Sequence, residues 1–425
     1  MNNPAINVNS EIGTLKSVLL KRPGAEVENI TPDTMERLLF DDIPFLKIAQ
    51  EEHDFFADTL RDNGVETLYV DDLAVEALDS DDVIRHRFVQ QYLDEAGYGI
   101  GTTHDALFNY LETFDTRDMV TKLYAGIRRN EFDFENDSLH DLAGRDAANP
   151  FLLDPLPNAY FTRDPQASMG NGITINHMTY KARQPESLFT EFIMQYHPRF
   201  AGHVDIWRDR SHNTRIEGGD ELILNDHVIA IGVSQRTSSK SIEAVAKELF
   251  ANPNSHFDTV VAVEIPHNHA MMHLDTVFTM VNRDQFTVFP GIMDAGGQMN
   301  ISIMTPGPDG TVKLAHRTDL GKTLQEVLDL SELDLIETVV VMKLWHPVSN
   351  GTMGQIRWRL PLVKWWPTTE ITSATNCCVA TASLYTKWFQ VSCRVAVVVH
   401  VACRNQSGVK ICNQQTKMRS KNHGN

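Results

Sequence analysis

The chain has 425 residues, is 42% hydrophobic and 22% charged, and carries a formal net charge of −18 at pH 7. This composition is typical of a globular protein, and the acidic balance argues against nucleic acid as a partner. No run of about 18 apolar residues predicts a membrane span, and the polar start MNNPAINVNSEIG lacks the basic and apolar regions of a signal peptide, so we expect a cytoplasmic protein with no membrane partner.

The first part of the chain predicts alternating strands and helices. The segment LKSVLLKRP (15–23) is typical of a buried strand that ends at a proline turn. Helical spacing runs through residues 31–64, with Thr31-Pro32-Asp33 as the start and Asn63-Gly64 as the stop. The segment VETLYV then predicts a second strand. Residues 1–74 are therefore interpreted as the first part of an α/β unit.

Residues 75–148 differ in character from what precedes them. Apolar residues recur at spacings of three and four, many acids are present, and no strand alternation is visible. We predict a helical insertion of several short helices over this range.

Strand signals return in residues 149–337. They are GITINHMTY, VDIW, ELILN, HVIAIGV, TVVAVEI, TVFTMV and QFTVFPGI. Helical segments such as 239–250 lie between them, which favours repeated mixed α/β units.

Four segments of this β-rich part place charged residues where strands should be apolar. They are PLPNAYFTRDP (155–165), RIEGGDELILN (215–225), GVSQRTS (232–238) and MMHLDTVFTM (271–280). Each alone is explained as well by a surface turn or a paired core residue. Together they bring three acids, a histidine and several arginines to strand ends, which is how a polar pocket is built.

The last of these segments predicts a strand that carries a functional pair. His273 and Asp275 are two residues apart in a run that alternates, so both side chains should point to one face, about 7 Å apart. A histidine and a carboxylate in this arrangement can bind a cation and move a proton.

With these four motifs in this order, residues 1 to about 337 resemble the arginine deiminases of the amidinotransferase superfamily. The resemblance implies a five-bladed, pseudo-symmetric α/β propeller of ββαβ units around a substrate channel, with a helical insertion. It also implies hydrolysis of L-arginine to L-citrulline and ammonia, with no cofactor and no metal, in a family whose members are commonly homo-oligomers.

The resemblance further assigns roles to residues of the motifs. Asp164 and Asp275 would hold the guanidinium nitrogens, because paired carboxylates match that planar fork of donors. Glu217 and His273 would flank the reacting carbon, with His273 as the general acid–base. Four more residues match pocket positions of the family: Arg183 and Arg236 at the substrate carboxylate, and Asn158 and Phe161 in the wall.

The nucleophile of this family is a cysteine thiolate that forms a covalent amidino intermediate, and it lies in a Gly-Arg-Gly-Gly-x-x-Cys-Met motif near the C-terminus. That motif is missing here. All five cysteines lie after residue 338, and none follows a glycine-rich run. Five of the six tryptophans also lie there, and this tail has 11 Lys and Arg against one acid, whereas residues before it have 27 against 55.

A shifted reading frame explains the tail. When each codon is read from its third base, using third bases that the genetic code allows, residues 397–403 yield Gly-Gly-Pro-Arg-Cys-Met, and 393–396 supply Ser-Arg-Gly-Arg before it. The same offset converts 346–354 into Pro-Arg-Glu-Gln-Trp-Asn-Asp-Gly. The family cysteine thus falls where Val401-Ala402 stands, and the frame breaks near Thr338.

We therefore interpret residues 338–425 as an aberrant basic tail that was not selected to fold, and expect a disrupted last blade and no deiminase activity in this chain. Two alternatives stay open. The chain could be a non-catalytic arginine-binding protein, for which the tail should be well folded. It could also be another guanidino-group hydrolase of the superfamily, although Arg183 and Arg236 favour a substrate with a free α-carboxylate and the long insertion disfavours the shorter enzymes.

Overall fold

The computed structural model describes residues 5–131, 149–268, 271–293 and 298–337. The predictions made for residues 338–425, including the displaced cysteine, lie outside these ranges. Within them the architecture is mixed α/β, as the alternation of strand and helix signals predicts.

Six of the nine α-helices in the described residues lie in the first third of the chain, and the last four of these six follow one another with no strand between them. They are α1 (Ala25–Glu28), α2 (Leu46–Asp62), α3 (Val70–Leu78), α4 (Asp82–Glu95), α5 (Thr102–Glu112), α6 (Thr116–Ala125), α7 (Glu186–Tyr196), α8 (Ser239–Ala251) and α9 (Leu320–Leu328).

The strands of the described residues are short, with six residues at most. They are β1 (Ser17–Leu20), β2 (Glu66–Tyr69), β3 (Ile127–Arg128), β4 (Phe151–Leu153), β5 (Gln166–Met169), β6 (Gly172–Ile175), β7 (Asp205–Arg208), β8 (Glu221–Ile223), β9 (Val228–Val233), β10 (Thr259–Glu264), β11 (Phe278–Asn282), β12 (Gln285–Val288), β13 (Ile301–Pro306), β14 (Val312–Arg317) and β15 (Asp334–Glu337).

Three sheets share one topology. In each, an antiparallel pair is followed by a helix and then by a strand parallel to the second member: β5, β6, α7, β7; then β8, β9, α8, β10; and finally β11, β12, α9, β15. In the last unit the hairpin β13–β14 comes before α9 and adds to the edge of the neighbouring sheet, which has the order β14-β13-β10-β9-β8. The chain thus repeats a ββαβ unit.

Two further pairs complete the strand inventory of the described residues. β1 and β2 are parallel and are joined through α2, whereas β3 and β4 are antiparallel. The strands predicted within 15–23 and 65–70 are therefore confirmed, but only Leu20 of β1 is buried, so the prediction that β1 is a buried strand is wrong.

The helix predicted for residues 31–64 is only partly right. α2 covers its second half, and Gly64 follows it with a φ of +79°, as the predicted stop requires. The first half forms turns over residues 32–39 instead. Pro44 disfavours helical geometry at the residue before it, so a helix beginning at Thr31 is interrupted there.

The helical insertion predicted for residues 75–148 is matched by helices α3 to α6, of which the first begins at Val70 rather than at residue 75. Residues 132–148 lie outside the described ranges, so the domain boundaries at 75 and 149 stay predictions. These helices surround the largest hydrophobic core, which continues into α7 and strand β6.

Helix α8 packs on the central sheet of the β-rich half through one apolar face. Ile242, Val245, Ala246 and Leu249 recur at spacings of three and four, are buried, and belong to one core with strands β9 and β10. Its start is capped by Ser238, whose hydroxyl accepts from the Ser241 amide. Among the described residues, no helix combines the length and apolarity that a membrane crossing needs.

Candidate active site

The segment that carries His273 is not the strand that its alternation predicts. Leu274–Thr276 forms one turn of 3-10 helix, and β11 begins only at Phe278. The amides of Thr276 and Val277 donate to the carbonyls of His273 and Leu274, so the backbone is used in a turn and not in a sheet ladder. His273 itself is extended, with φ −134° and ψ 162°. His273 and Asp275 therefore do not share a strand face, and that prediction is wrong.

His273 nevertheless lies among the predicted acids. Its Nε2 is 2.9 Å from Oε2 of Glu217, and its Nδ1 is 3.8 Å from Oδ1 of Asp164. All three residues are buried. Glu217 lies 53 residues after Asp164 and 56 residues before His273. The three side chains come together because three loops at strand ends meet here.

Glu217 is held at the start of strand β8 by a close approach of two backbones. A Cβ on the next residue, Gly218, would meet the carbonyl oxygens of Arg163 and Gln166 closer than the 3.0 Å that real Cβ atoms keep. The amide of Gly218 also donates to the carbonyl of Asp164 at 2.9 Å. Glycine at this position therefore fixes the distance between the two acid-bearing loops.

Both predicted arginines are bound to these acids. Arg183 donates from Nη1 to Oδ2 of Asp164 at 2.7 Å, and its Nε and Nη2 reach Glu186 in a bidentate pair. Arg236 donates from Nη1 to Oε2 of Glu217 at 3.1 Å, and its guanidinium lies 4.4 Å from the ring centroid of Tyr180. Asp164, which the resemblance assigns to the substrate guanidinium, and Glu217, which it places beside the reacting carbon, thus each hold a guanidinium group of the chain itself.

The charges of the site stabilise one another. Burial opposes ionisation of Glu217, but the hydrogen bond with His273 and the nearby positive charges lower its pKa to about 2. Burial likewise works against protonation of His273, yet the Asp164 charge and the bond to Glu217 raise its pKa to about 9. At neutral pH the imidazole is therefore protonated, which is the form that a general acid needs.

The other predicted residues line the same region. Burial raises the pKa of Asp275 to about 7, against the charges of His273 and Arg163. Asn158 is buried and donates to the carbonyl of Leu38 at 2.7 Å. Phe161 is half-buried and packs on Tyr160, with ring centroids 4.0 Å apart.

The three central residues also present one ligand atom each within 4.8 Å of one another, which is the geometry of a possible metal site. Their carboxylates, however, already bind Arg183 and Arg236, so two cations neutralise the charge that a metal ion would need. The donor set therefore does not favour a metal over the guanidinium groups.

Sequence reasoning missed three residues that shape the site: Glu186, Tyr180 and Asp220. Glu186 lies three positions after Arg183, and this i, i+3 spacing at a helix start was a readable signal. Asp220 lies inside a recognised motif, yet its contacts cross between loops and leave no trace in local spacing.

Comparison with known proteins gives the family. The arginine deiminase family model matches residues 36–350. An arginine deiminase of Lactococcus lactis subsp. cremoris is 67% identical over 337 residues, which is 79% of this chain and 82% of that protein. An arginine deiminase of Limosilactobacillus fermentum is 56% identical over 351 residues, or 81% of this chain and 85% of that one.

Solved structures match more weakly. A dimethylarginine dimethylaminohydrolase has a TM-score of 0.33 at 13% identity and covers 64% of this chain and 68% of its own. The inosamine-phosphate amidinotransferase from Streptomyces griseus has a TM-score of 0.36 at 11% identity over 69% of this chain and 72% of its own. These scores are too low to add to the account of the site.

Proposed function

The chain belongs to the arginine deiminase family, and we propose that its buried site is the one that hydrolyses L-arginine to L-citrulline and ammonia, left without its nucleophile in this chain. The observation that carries the proposal is that Asp164 and Glu217 each hold a guanidinium group beside the His273 imidazole. Carboxylates that each accept from one guanidinium nitrogen, Nη1 of Arg183 or Nη1 of Arg236, offer acceptors to the guanidinium of a substrate as well.

Each side chain has a task in this reaction. Asp164 and Asp275 bind the guanidinium nitrogens, and Glu217 with His273 flanks the carbon that is attacked. His273, held protonated by Glu217 and Asp164, gives its proton to the departing ammonia; the neutral imidazole then activates the water that releases citrulline. The attack itself needs a thiolate, which the described residues do not supply.

Arg236 supports a substrate that carries an α-carboxylate. Its guanidinium is buried, and its Nε–H has no hydrogen-bond partner in the described part of the chain. A buried donor without an acceptor costs about 1–3 kcal/mol, so a ligand that provides an anionic oxygen is favoured here. We assign Arg183 and Arg236 to the substrate carboxylate, with Asn158 and Phe161 in the pocket wall.

Binding of L-arginine in this way requires Arg183 and Arg236 to exchange the carboxylates of the chain for the carboxylate of the substrate. Arg183 and Arg236 lie on Asp164 and Glu217, and the guanidinium of an incoming arginine competes with them for these acids. The number of charge-assisted bonds is conserved if the displaced arginines take the substrate carboxylate. This exchange keeps each buried carboxylate paired with a cation throughout binding.

We further propose that the three ββαβ units belong to a five-bladed propeller whose last blade is disrupted in this chain, with residues 75–148 as an inserted helical part. The repeat of topology and the family membership support this arrangement. A cytoplasmic location, self-association and the absence of nucleic-acid or membrane partners stay predictions from the sequence.

The experiment that tests the function compares two proteins. One is the chain as written, and the other has its reading frame restored at about codon 338. We expect the restored protein to form citrulline from L-arginine in a colorimetric assay, and the chain as written to form none above background. Agmatine, which lacks the α-carboxylate, serves as the matched substrate and should be a poor one.

Each outcome has a meaning. A restored protein that forms no citrulline would contradict the proposed activity. Citrulline production by the chain as written at the rate of the restored protein would contradict the loss of the nucleophile. Sequencing the DNA around codons 336–340 locates the shifted base independently.

A further inference from the structure

Asp220 is a buried acid that the proposed reaction does not use. It lies in the 3-10 turn Gly218–Asp220 that leads into strand β8, and none of its surface is exposed. Both of its carboxylate oxygens accept hydrogen bonds: Oδ1 from the amide of Leu274 at 2.8 Å, and Oδ2 from the hydroxyl of Ser234 at 2.6 Å. Two donors aimed at two oxygens is the pattern of an ionised carboxylate.

The first of these bonds explains why the His273 segment is a turn. The amide of Leu274 is taken by the Asp220 side chain, so it is not free to join a strand ladder. The amides of Thr276 and Val277 bond back within the turn. The Asp220 carboxylate therefore holds the peptide that directly follows His273.

The second bond, to the Ser234 hydroxyl, connects Asp220 to the backbone of Arg236. The Ser234 hydroxyl donates to Asp220 and accepts from the amides of Arg236 at 2.9 Å and Thr237 at 3.1 Å. The Thr237 hydroxyl in turn accepts from the amide of Glu217 at 3.1 Å. One carboxylate thus connects the loops that carry His273, Arg236 and Glu217.

Two glycines make room for this arrangement. A Cβ on Gly219 would lie 2.6 Å from Nδ1 of His273, and a Cβ on Gly232 would overlap Oδ1 of Asp220. Any side chain at these positions would push the imidazole or the carboxylate away. Glycine at these two positions therefore allows the carboxylate and the imidazole to pack directly against the backbone.

We propose that Asp220 is a positioning residue for this site: its carboxylate fixes the backbone that carries His273 and, through Ser234, the backbone that carries Arg236. It also supplies a fixed negative charge close to the imidazole without touching the substrate. This inference deepens the proposed function and rests on it for its catalytic meaning, but its test needs no arginine, so the two can fail separately.

The first test is an isosteric exchange in the full chain. Asp220→Asn keeps the shape and removes the charge, so the protonated imidazole of His273 loses support. We expect the titration midpoint of His273 to fall by about one pH unit. The midpoint is read from deuterium uptake at the imidazole C2 position by mass spectrometry, with the signal assigned by its loss in His273→Gln.

The control is Thr323→Val, which also removes a buried polar group. Thr323 is fully buried and donates only to the carbonyl of Asp319 in its own helix turn. The His273 midpoint should not move in this variant. An unchanged midpoint in Asp220→Asn, or an equal fall in Thr323→Val, would overturn the proposal.

The second test separates the effect of the Asp220–Ser234 bond from that of the Asp220–Leu274 bond. It does not require that the Asp220→Asn variant folds. Ser234→Ala leaves the carboxylate charge and its bond to Leu274 in place, but removes the link to the Arg236 loop. We expect faster backbone amide exchange at Arg236 and Thr237, with the His273 midpoint nearly unchanged. If exchange at these two amides stays as slow as in the parent chain, Asp220 does not act on the Arg236 loop and the proposal fails.

Discussion

Buried acids in this site differ in whether a cation faces them. Glu217 and Asp164 are bound by arginines and by His273, so the pKa of Glu217 is low although the group is buried. Glu221 is fully buried too, but no Lys, Arg or His of the described residues lies within 4 Å of its carboxylate. Burial raises its pKa to about 7, against the hydrogen bond from Thr174 and the more distant Arg163.

Glu221 is therefore a neutral carboxylic acid below about pH 7. Its Oε1 lacks a hydrogen-bond partner, and so does Oδ1 of Asn176, and both atoms are acceptors when the acid is ionised. A proton on Glu221 makes this carboxyl a donor as well as an acceptor. The side-chain amide of Asn176 donates to the carbonyl of Asp164 at 3.0 Å and so helps to hold the acid-bearing loop.

Replacing Glu221 by Gln should make the protein more stable at neutral and higher pH. In the parent chain, the unfolded state loses this proton near pH 4.5 and the folded state only near 7, so stability falls between these values. Gln keeps a donor and has no proton to lose, so the variant should gain about 2 kcal/mol relative to the parent as pH rises from 4.5 to 7. Urea denaturation at pH 4.5, 6 and 8 measures this difference.

The matched control is Glu26→Gln. Glu26 is equally buried but accepts from Lys21 at 3.2 Å and from the amide of Gly24 at 2.7 Å. Removing its charge leaves a buried cation less compensated, so we expect a loss of stability of about 1–3 kcal/mol at pH 7. A Glu221→Gln variant that loses stability in the same way at pH 6, below the pKa of Glu221 in the folded chain, would show that Glu221 is ionised there and would contradict the prediction.

Strand and helix ends decide the geometry at the scale of elements. The acids and arginines of the site follow or precede the strands β5, β8, β9 and β11, and glycines set how closely these ends approach. Turn geometry at Leu274–Thr276 is imposed by a side chain from another loop. The predicted strands outside the His273 segment, and helix α8, therefore lie where the sequence predicts them, whereas the junctions between elements are fixed by contacts across the fold.

Gly218→Ala tests this close approach. Its Cβ would overlap two backbone carbonyls, of Arg163 and Gln166, and neither can move without shifting strand β5. We expect a loss of about 2–4 kcal/mol in the free energy of unfolding, measured by urea denaturation.

Gly13→Ala is the control, because the nearest atom to its Cβ is the Ser10 Cβ at 3.8 Å, an ordinary contact. It should change stability by less than about 0.5 kcal/mol. Equal effects of the two substitutions would mean that the approach of the two loops does not depend on Gly218.

The molecule as a whole joins a coherent α/β part to a tail of different composition. Residues before 338 carry the acids, the motifs and the ββαβ units, whereas the tail carries the cysteines and nearly all the tryptophans. The family relatives match about four fifths of the chain. This supports the interpretation that a fold selected as one piece has lost its last segment to another reading frame.

Limited proteolysis tests that interpretation at this scale. A segment translated out of frame lacks consistent periodicity and packing, so trypsin should cut residues 338–425 well before the preceding part. Mass spectrometry of the early fragments locates the cuts, and the frame-restored protein should resist over the same range. A tail as resistant as the rest would instead favour a genuine module and a non-catalytic arginine-binding protein.

The sequence alone predicted nine of the fifteen strands that the structure describes, together with helix α8, the stop of α2 and the family, because periodicity and motif order are local or ordered along the chain. It also determined which residues are candidates for the site. Only the tertiary structure decided that His273 lies in a turn, that Arg183 and Arg236 rest on the acids, and that Asp220 connects three loops. The turn at His273 and its place in the site depend on hydrogen bonds between residues more than 50 positions apart. The pairing of the arginines with the acids depends on burial. Neither cause leaves a pattern in local spacing.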